Sequence, residues 1–143
     1  MKCTFFGHRD TPQEIETRLR ETVVQLIERH GADTFYVGNQ GEFDSMVGKV
    51  LQELQGIYPH IACFTVLSYM PGTVGAFAAD GMESIYPEGL ETAPKRFAIS
   101  KRNRWLVEHS DTVIAYVKHS TGGAAQWKTL AEKKGKWVIN LAK

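Results

Sequence analysis

Ile61-Ala62-Cys63-Phe64-Thr65-Val66-Leu67 reads as one nearly unbroken apolar run. A strand with one wet face would alternate apolar and polar residues. A run without alternation suits a strand covered on both faces, as in a parallel sheet. Working back from it, Phe43, Met46, Val47, Val50, Leu51 and Leu54 recur at helical spacing and stop at Gly56 and Pro59. Thr34-Phe35-Tyr36-Val37 is strand-like and ends in the polar turn Gly38-Asn39-Gln40-Gly41. Ile15, Leu19, Val23, Leu26 and Ile27 mark an earlier helix that Gly31 ends as a C-terminal cap. Thr11-Pro12-Gln13-Glu14 reads as its start, with Thr11 as N-cap, Pro12 at the first helical position and Glu14 closing a capping box. Residues 2–6 form the first strand, followed by Gly7-His8-Arg9-Asp10.

Beyond the run, residues 70–94 hold Pro71, Gly72, Gly75, Gly81, Pro87, Gly89 and Pro94 and read as one long loop. Loops of that length inside a domain are often lids or binding loops. Residues 97–109 read as a helix with Ile99, Trp105 and Leu106 inward, and Phe97 as a core residue. Strand 112–117, the turn Thr121-Gly122-Gly123-Ala124, a helix ending at Gly135 and strand 137–141 complete the chain. Strands alternating with helices predict an α/β fold with right-handed crossovers. The expectation is a single domain over 1–143, a three-layer sandwich around a five-stranded, mostly parallel sheet of order 3-2-1-4-5.

Composition sets the outer bounds. The 143 residues carry a net charge of +1, so attraction to phosphate must come from a local cluster. No stretch approaches the ~20 apolar residues that span a bilayer. The opening Met1–Arg9 turns polar too soon for a signal peptide, which predicts a cytoplasmic protein without membrane contact. Cys3 and Cys63 fall on strands 1 and 3, two strand spacings or roughly 10 Å apart, too far for a disulfide. Both read as free, buried thiols. His8, His30, His60, His109 and His119 show no ligand spacing, so no metal and no obligatory cofactor are expected.

In an open parallel sheet, ligands bind outside the carboxyl ends of the strands where the strand order reverses. That edge gathers Gly7, His8 and Arg9, then Gly38, Asn39, Gln40 and Gly41, then Thr121, Gly122 and Gly123. Glycine lets a phosphate lie against backbone N–H groups at a helix start. Each turn taken singly could serve only to reverse the chain. None is a full Gly-x-Gly-x-x-Gly or Walker loop, which disfavours dinucleotide-fingerprint and P-loop chemistry. Residues 95–104 carry five basic side chains. Arg96, Ser100, Arg102 and Asn103 are the candidates there to reach the site, since an arginine can fork onto a phosphate. Asp44, in the first turn of its helix, could hold a ribose hydroxyl, and Glu88 stands in the long loop.

Phe6-Gly7-His8-Arg9, Val37-Gly38-Asn39-Gln40-Gly41-Glu42-Phe43-Asp44, Arg102–Asp111 and Thr121-Gly122-Gly123-Ala124 follow one another in an order that resembles the SLOG superfamily of Rossmann-like nucleotide-binding domains, and within it a branch of small bacterial proteins. The resemblance covers nearly the whole chain. The superfamily includes the lonely-guy phosphoribohydrolases, the DNA-processing protein that binds single-stranded DNA, and sensors of cyclic ADP-ribose-type signals. It implies a pocket for a nucleotide-like ligand. In the phosphoribohydrolases an Arg-Lys pair precedes Pro-Gly-Gly-x-Gly-Thr-x-Glu-Glu, whose first glutamate is catalytic. Here Arg102 matches the arginine, its partner is Asn103, Gly122-Gly123 match the paired glycines, and the glutamate position falls on Lys128.

Three functions follow. The leading one is binding or sensing of a nucleotide or an NAD- or ADP-ribose-like ligand. An N-glycosidic hydrolase acting on a nucleoside monophosphate would need Glu88 or Asp44 to replace the missing glutamate. Single-stranded nucleic-acid binding would use the basic segment and weaken steeply with salt. The near-neutral charge and the lack of interleaved aromatics rank it last. The residues mark no oligomer interface, so a homo-oligomer stays open.

Overall fold

The side chains of the first strand divide between two cores. In β1 (Lys2–Gly7), Cys3 and Phe5 enter one cluster and Phe6 the other. β2 (Thr34–Val37) does the same, with Phe35 and Val37 on one side and Tyr36 opposite. Successive residues of a strand point to opposite faces, so strands apolar throughout must be covered twice. The first face is covered by α1 (Ile15–His30) and α2 (Gly41–Ile57), through Leu19, Val23, Phe43, Val50 and Leu51. The second is covered by α3 (Lys95–Glu108) and α4 (Gly123–Lys133), through Leu106, Val107, Trp127 and Ala131. Burying each large apolar side chain contributes roughly 1.5–3 kcal/mol.

The remaining strands are β3 (Ala62–Val66), β4 (Glu83–Ile85), β5 (Thr112–Tyr116) and β6 (Trp137–Asn140). This computed structural model describes residues 1–68, 82–90 and 94–142. All pairings are parallel and the order is β4-β3-β2-β1-β5-β6, a Rossmann-like α/β sandwich. Phe35 pairs with Cys3 on one side and Cys63 on the other, which places both free, buried thiols two strands apart. No helix among the described residues is long and apolar enough to cross a membrane.

Three expectations are corrected. The sheet has six strands, because β4 lies inside the stretch read as loop. Glu83 and Ser84 are exposed on a three-residue edge strand, which gives no apolar signal. The rest of the expected loop, 69–81 and 91–93, lies outside the described residues. α1 starts at Ile15, with no side-chain cap. The Thr11 hydroxyl donates instead to the His8 carbonyl at 2.6 Å, so residues 11–14 form a turn rather than a capping box. Phe97 is 47% exposed, with the Arg96 guanidinium 4.8 Å over its ring. The buried face of α3 runs through Ala98, Arg102 and Leu106. A helix turns about 100° per residue, which carries Phe97 off that face.

Candidate functional site

β1 feeds a helix on one face of the sheet and its neighbour β5 feeds a helix on the other. The two connections therefore part at the carboxyl ends of these strands and leave a crevice. It is a cleft of about 350 Å³. Gly7, His8, Arg9 and Asp10 form its floor, Gly38, Gln40 and Asp44 one wall, and Ile99, Arg102, Asn103 and Leu106 another. Gly123, Ala124 and Trp127 at the start of α4 close the remaining side.

The floor is fixed by local bonds. His8 Nε2 accepts from the Lys118 backbone N–H at 2.9 Å, which ties the end of β1 to the end of β5. In this arrangement the ring is neutral, with its proton on Nδ1. Burial and then the neighbouring His119, 5.1 Å away between centroids, lower the His8 pKa against the pull of Asp10. The Glu42 N–H donates to the Arg9 carbonyl at 3.0 Å, pinning the loop to the start of α2.

Arg102 occupies a core position on α3, four residues from Ala98 and from Leu106, and is only 3% exposed. Its Nε donates to Asn103 Oδ1 at 2.9 Å, and Nη1 donates to the Val66 carbonyl at 3.0 Å and to Asn39 Oδ1 at 3.3 Å. Among the described residues its Nη2 has no hydrogen-bond partner. Burial lowers the Arg102 pKa, and Asp44 opposes that shift. Asp44 Oδ2 accepts from the Gln40 N–H at 2.9 Å. Burial pushes its pKa up to about 6, against that hydrogen bond and the Arg102 charge. Gly38 stands between the two groups. A Cβ there would lie 2.9 Å from Asp44 Oδ2 and 3.1 Å from the guanidinium.

The cleft thus unites Gly7, His8, Arg9, Gly38, Gln40, Asp44, Arg102, Asn103 and Gly123 of the residues the sequence pointed to. Asn39 stands behind Arg102, and Gly41, at φ +87°, backs onto Arg9. Thr121 and Gly122 line an adjoining groove instead. Arg96 and Ser100 are exposed on α3 outside the cleft lining, and Glu88 is exposed on the turn after β4. Lys128, at the position of the phosphoribohydrolase glutamate, pairs with Glu132 at 3.4 Å. Among the described residues no cluster of histidine, cysteine or carboxylate side chains could hold a metal ion. Trp127 and Phe6 were not legible as wall residues. Both also belong to the second core, and an apolar side chain carries no mark that tells wall from core.

The chain matches no protein-family model and no curated protein sequence. It is similar in structure to DNA processing protein A from Helicobacter pylori, described for its single-stranded DNA binding mode, with a TM-score of 0.61 and 16% identity over 98% of this chain and 64% of that one. It is also similar to DNA processing protein A from Streptococcus pneumoniae, with a TM-score of 0.64 and 12% identity over 97% of this chain and 49% of that one. The chain spans less than two thirds of either protein, and at these identities what is shared is the fold.

Proposed function

We propose that the cleft binds a phosphorylated nucleoside unit, as the resemblance to SLOG domains implies. Arg102 carries this reading. It is a cation only 3% exposed, on the cleft wall, with Nε and Nη1 held by protein oxygens, and a guanidinium fixed in this way can offer its remaining edge to an anion in the cleft. Asp44 compensates it only in part, because among the described residues no ion pair within 4 Å joins the two. The N-terminus of α4, at Gly123 and Ala124 on the same cleft, presents free N–H groups and a dipole that favours a phosphate. Ile99, Leu106 and Trp127 offer an apolar wall for a base, and Asp44 is placed for a ribose hydroxyl.

Isothermal titration with AMP, ADP, ADP-ribose, NAD, cyclic ADP-ribose and free phosphate tests the reading, with adenosine as the uncharged control. Binding of a phosphorylated nucleoside should be tight relative to adenosine. Arg102→Gln should weaken it by about tenfold to a hundredfold, the worth of a charge-assisted hydrogen bond. The unliganded variant is checked for its fold by circular dichroism. Equal affinity for AMP and adenosine would sink the assignment. Free base appearing in the mixtures would make the protein an N-glycosidic hydrolase, with Asp44 and Asp10 as the carboxylates lining the cleft. Single-stranded nucleic acid is the second reading, favoured by the likeness in fold to a protein described for its single-stranded DNA binding mode.

A further inference from the structure

Asp44 and Arg102 bring opposite charges to the cleft without closing on each other. Among the described residues no ion pair within 4 Å joins them. Gly38 lies between, where a Cβ would be 2.9 Å from Asp44 Oδ2 and 3.1 Å from the guanidinium. The two carboxyl oxygens differ in their surroundings. Oδ2 accepts from the Gln40 N–H at 2.9 Å, and Oδ1 has no hydrogen-bond partner among the described residues. An anion on the free edge of Arg102 sets a like charge beside Asp44 and draws on the opposite charge that favoured its ionisation. Both changes favour the neutral acid. A neutral carboxyl also has what a carboxylate lacks, an O–H that donates to a phosphate oxygen or a ribose hydroxyl.

Resting on the cleft's reading as a site for a phosphorylated ligand, we infer that the cleft takes up that anion together with a proton, drawn from solvent and held on Asp44 Oδ1. Asp44 is then an acceptor in the empty cleft and a donor in the filled one, and occupancy rises as pH falls. The other charged and titratable groups around Asp44 are Arg102 on α3, His8, Arg9 and Asp10 on the floor, and Glu42 in its own first turn. Arg9 packs on Gly41, where a Cβ would lie 3.1 Å from its Cα. Where α1 meets α2, Glu16 pairs with Lys49 and Arg20 with Glu53. His8 is the rival holder of the proton. Its Nε2 accepts from the Lys118 N–H at 2.9 Å, and protonation there would break that bond and set a cation beside His119. Asp44 Oδ1 has no such bond to lose. Burial already holds the Asp44 carboxyl at about 6, close to the point where a neighbouring anion tips it to the neutral form.

The second pKa of a phosphate monoester lies at about 6 and would mask the effect, so the probes are ADP-ribose and inorganic sulfate, whose charges do not change across the neutral range. Isothermal titration at one pH in two buffers of different ionisation heat counts the protons taken up. The titration is then repeated from about pH 8 down to about pH 6. The expected result is net proton uptake near neutrality and an affinity that rises about tenfold over that range, one pKa unit of coupling. Asp44→Asn fixes the neutral state and keeps an acceptor for Gln40. It should bind at the upper pH as tightly as the wild type does at the lower, with its uptake largely gone. A wild-type affinity that is flat with pH, with a binding heat independent of buffer, would overturn the coupling and leave the cleft standing, and this arm needs no variant. Uptake that survives in Asp44→Asn would move the proton to His8 and overturn Asp44 as its holder. Binding indifferent to Arg102→Gln, or no binding of either probe or of AMP at any pH, would overturn the cleft's reading and the coupling with it.

Discussion

The glycines on the two sides of the cleft are glycines for different reasons. On the β1–β2 side they are squeezed by protein. A Cβ on Gly7 would overlap the Phe43 ring, and one on Gly38 would strike Asp44 and Arg102. On the α4 side, a Cβ on Gly122 or Gly123 would meet nothing within 4 Å. Gly122 has a backbone reason, its φ of +104°. Gly123 has neither a crowded neighbour nor a positive φ. The first wall is therefore part of the packed fold, and the second is surface kept bare where the ligand is proposed to lie. Substitutions on the two sides should separate stability from binding.

The largest stability effect is expected at Gly7. Gly7→Ala drives a methyl into Phe43, which is fully buried in the first core. Overpacking of this kind costs about 1–3 kcal/mol, and more where the neighbour cannot move. Chemical denaturation should show a lower midpoint with an unchanged slope. A variant as stable as the wild type would mean that this wall is not built by packing.

Asp44 belongs to the same wall and gives a pH-dependent test. Its carboxyl is held at about 6 against an ordinary 3.8, so between those values the folded chain binds more protons than the unfolded one. Stability tied to this group is thus complete below 3.8 and is lost as pH rises through about 6. His8 works in the other direction. Its lowered pKa means that its contribution is complete above 6.5 and is lost as pH falls through the folded value. The difference between wild type and Asp44→Asn isolates the carboxylate, since the amide oxygen can still accept from Gln40. The variant should gain on the wild type by on the order of 2 kcal/mol as pH rises from about 4 to about 7. A difference that stays flat across this range would show that Asp44 is solvated like a surface acid.

These contrasts also explain what the sequence could reveal. β3 and β5 were legible because both their faces are covered and, but for Thr65 and Thr112, their residues are apolar. β4 was not, because Glu83 and Ser84 face outward and the strand is held by pairing with Phe64 and Thr65. The cleft's edge followed from strand order and the glycine turns. The distinction of Arg102 from Lys101 and Arg104 did not follow from basic charge. It lies in the spacing Ala98-Arg102-Leu106, which puts a cation in an apolar stripe. Arg96 and Ser100, read as site residues, fall off that stripe and are exposed. Trp127 and Phe6 serve wall and core at once, and only coordinates separate the two duties.

The smallest stability effect should accompany a clear loss of binding, at Gly123. Here alanine meets no protein atom and replaces glycine in the first turn of α4. Glycine within a helix is worth roughly 0.5–1 kcal/mol less than alanine, so Gly123→Ala should leave the melting temperature unchanged or raise it slightly. The added methyl would still stand between a phosphate and the N–H groups that begin the helix, and affinity for a phosphorylated nucleoside should fall by about tenfold. Titration beside a thermal melt reads both at once. If Gly123→Ala binds as the wild type does, the bare surface at α4 holds no phosphate and Arg102 alone must carry the anion. If it also melts lower, the glycine is structural after all, and the two sides of the cleft are built alike.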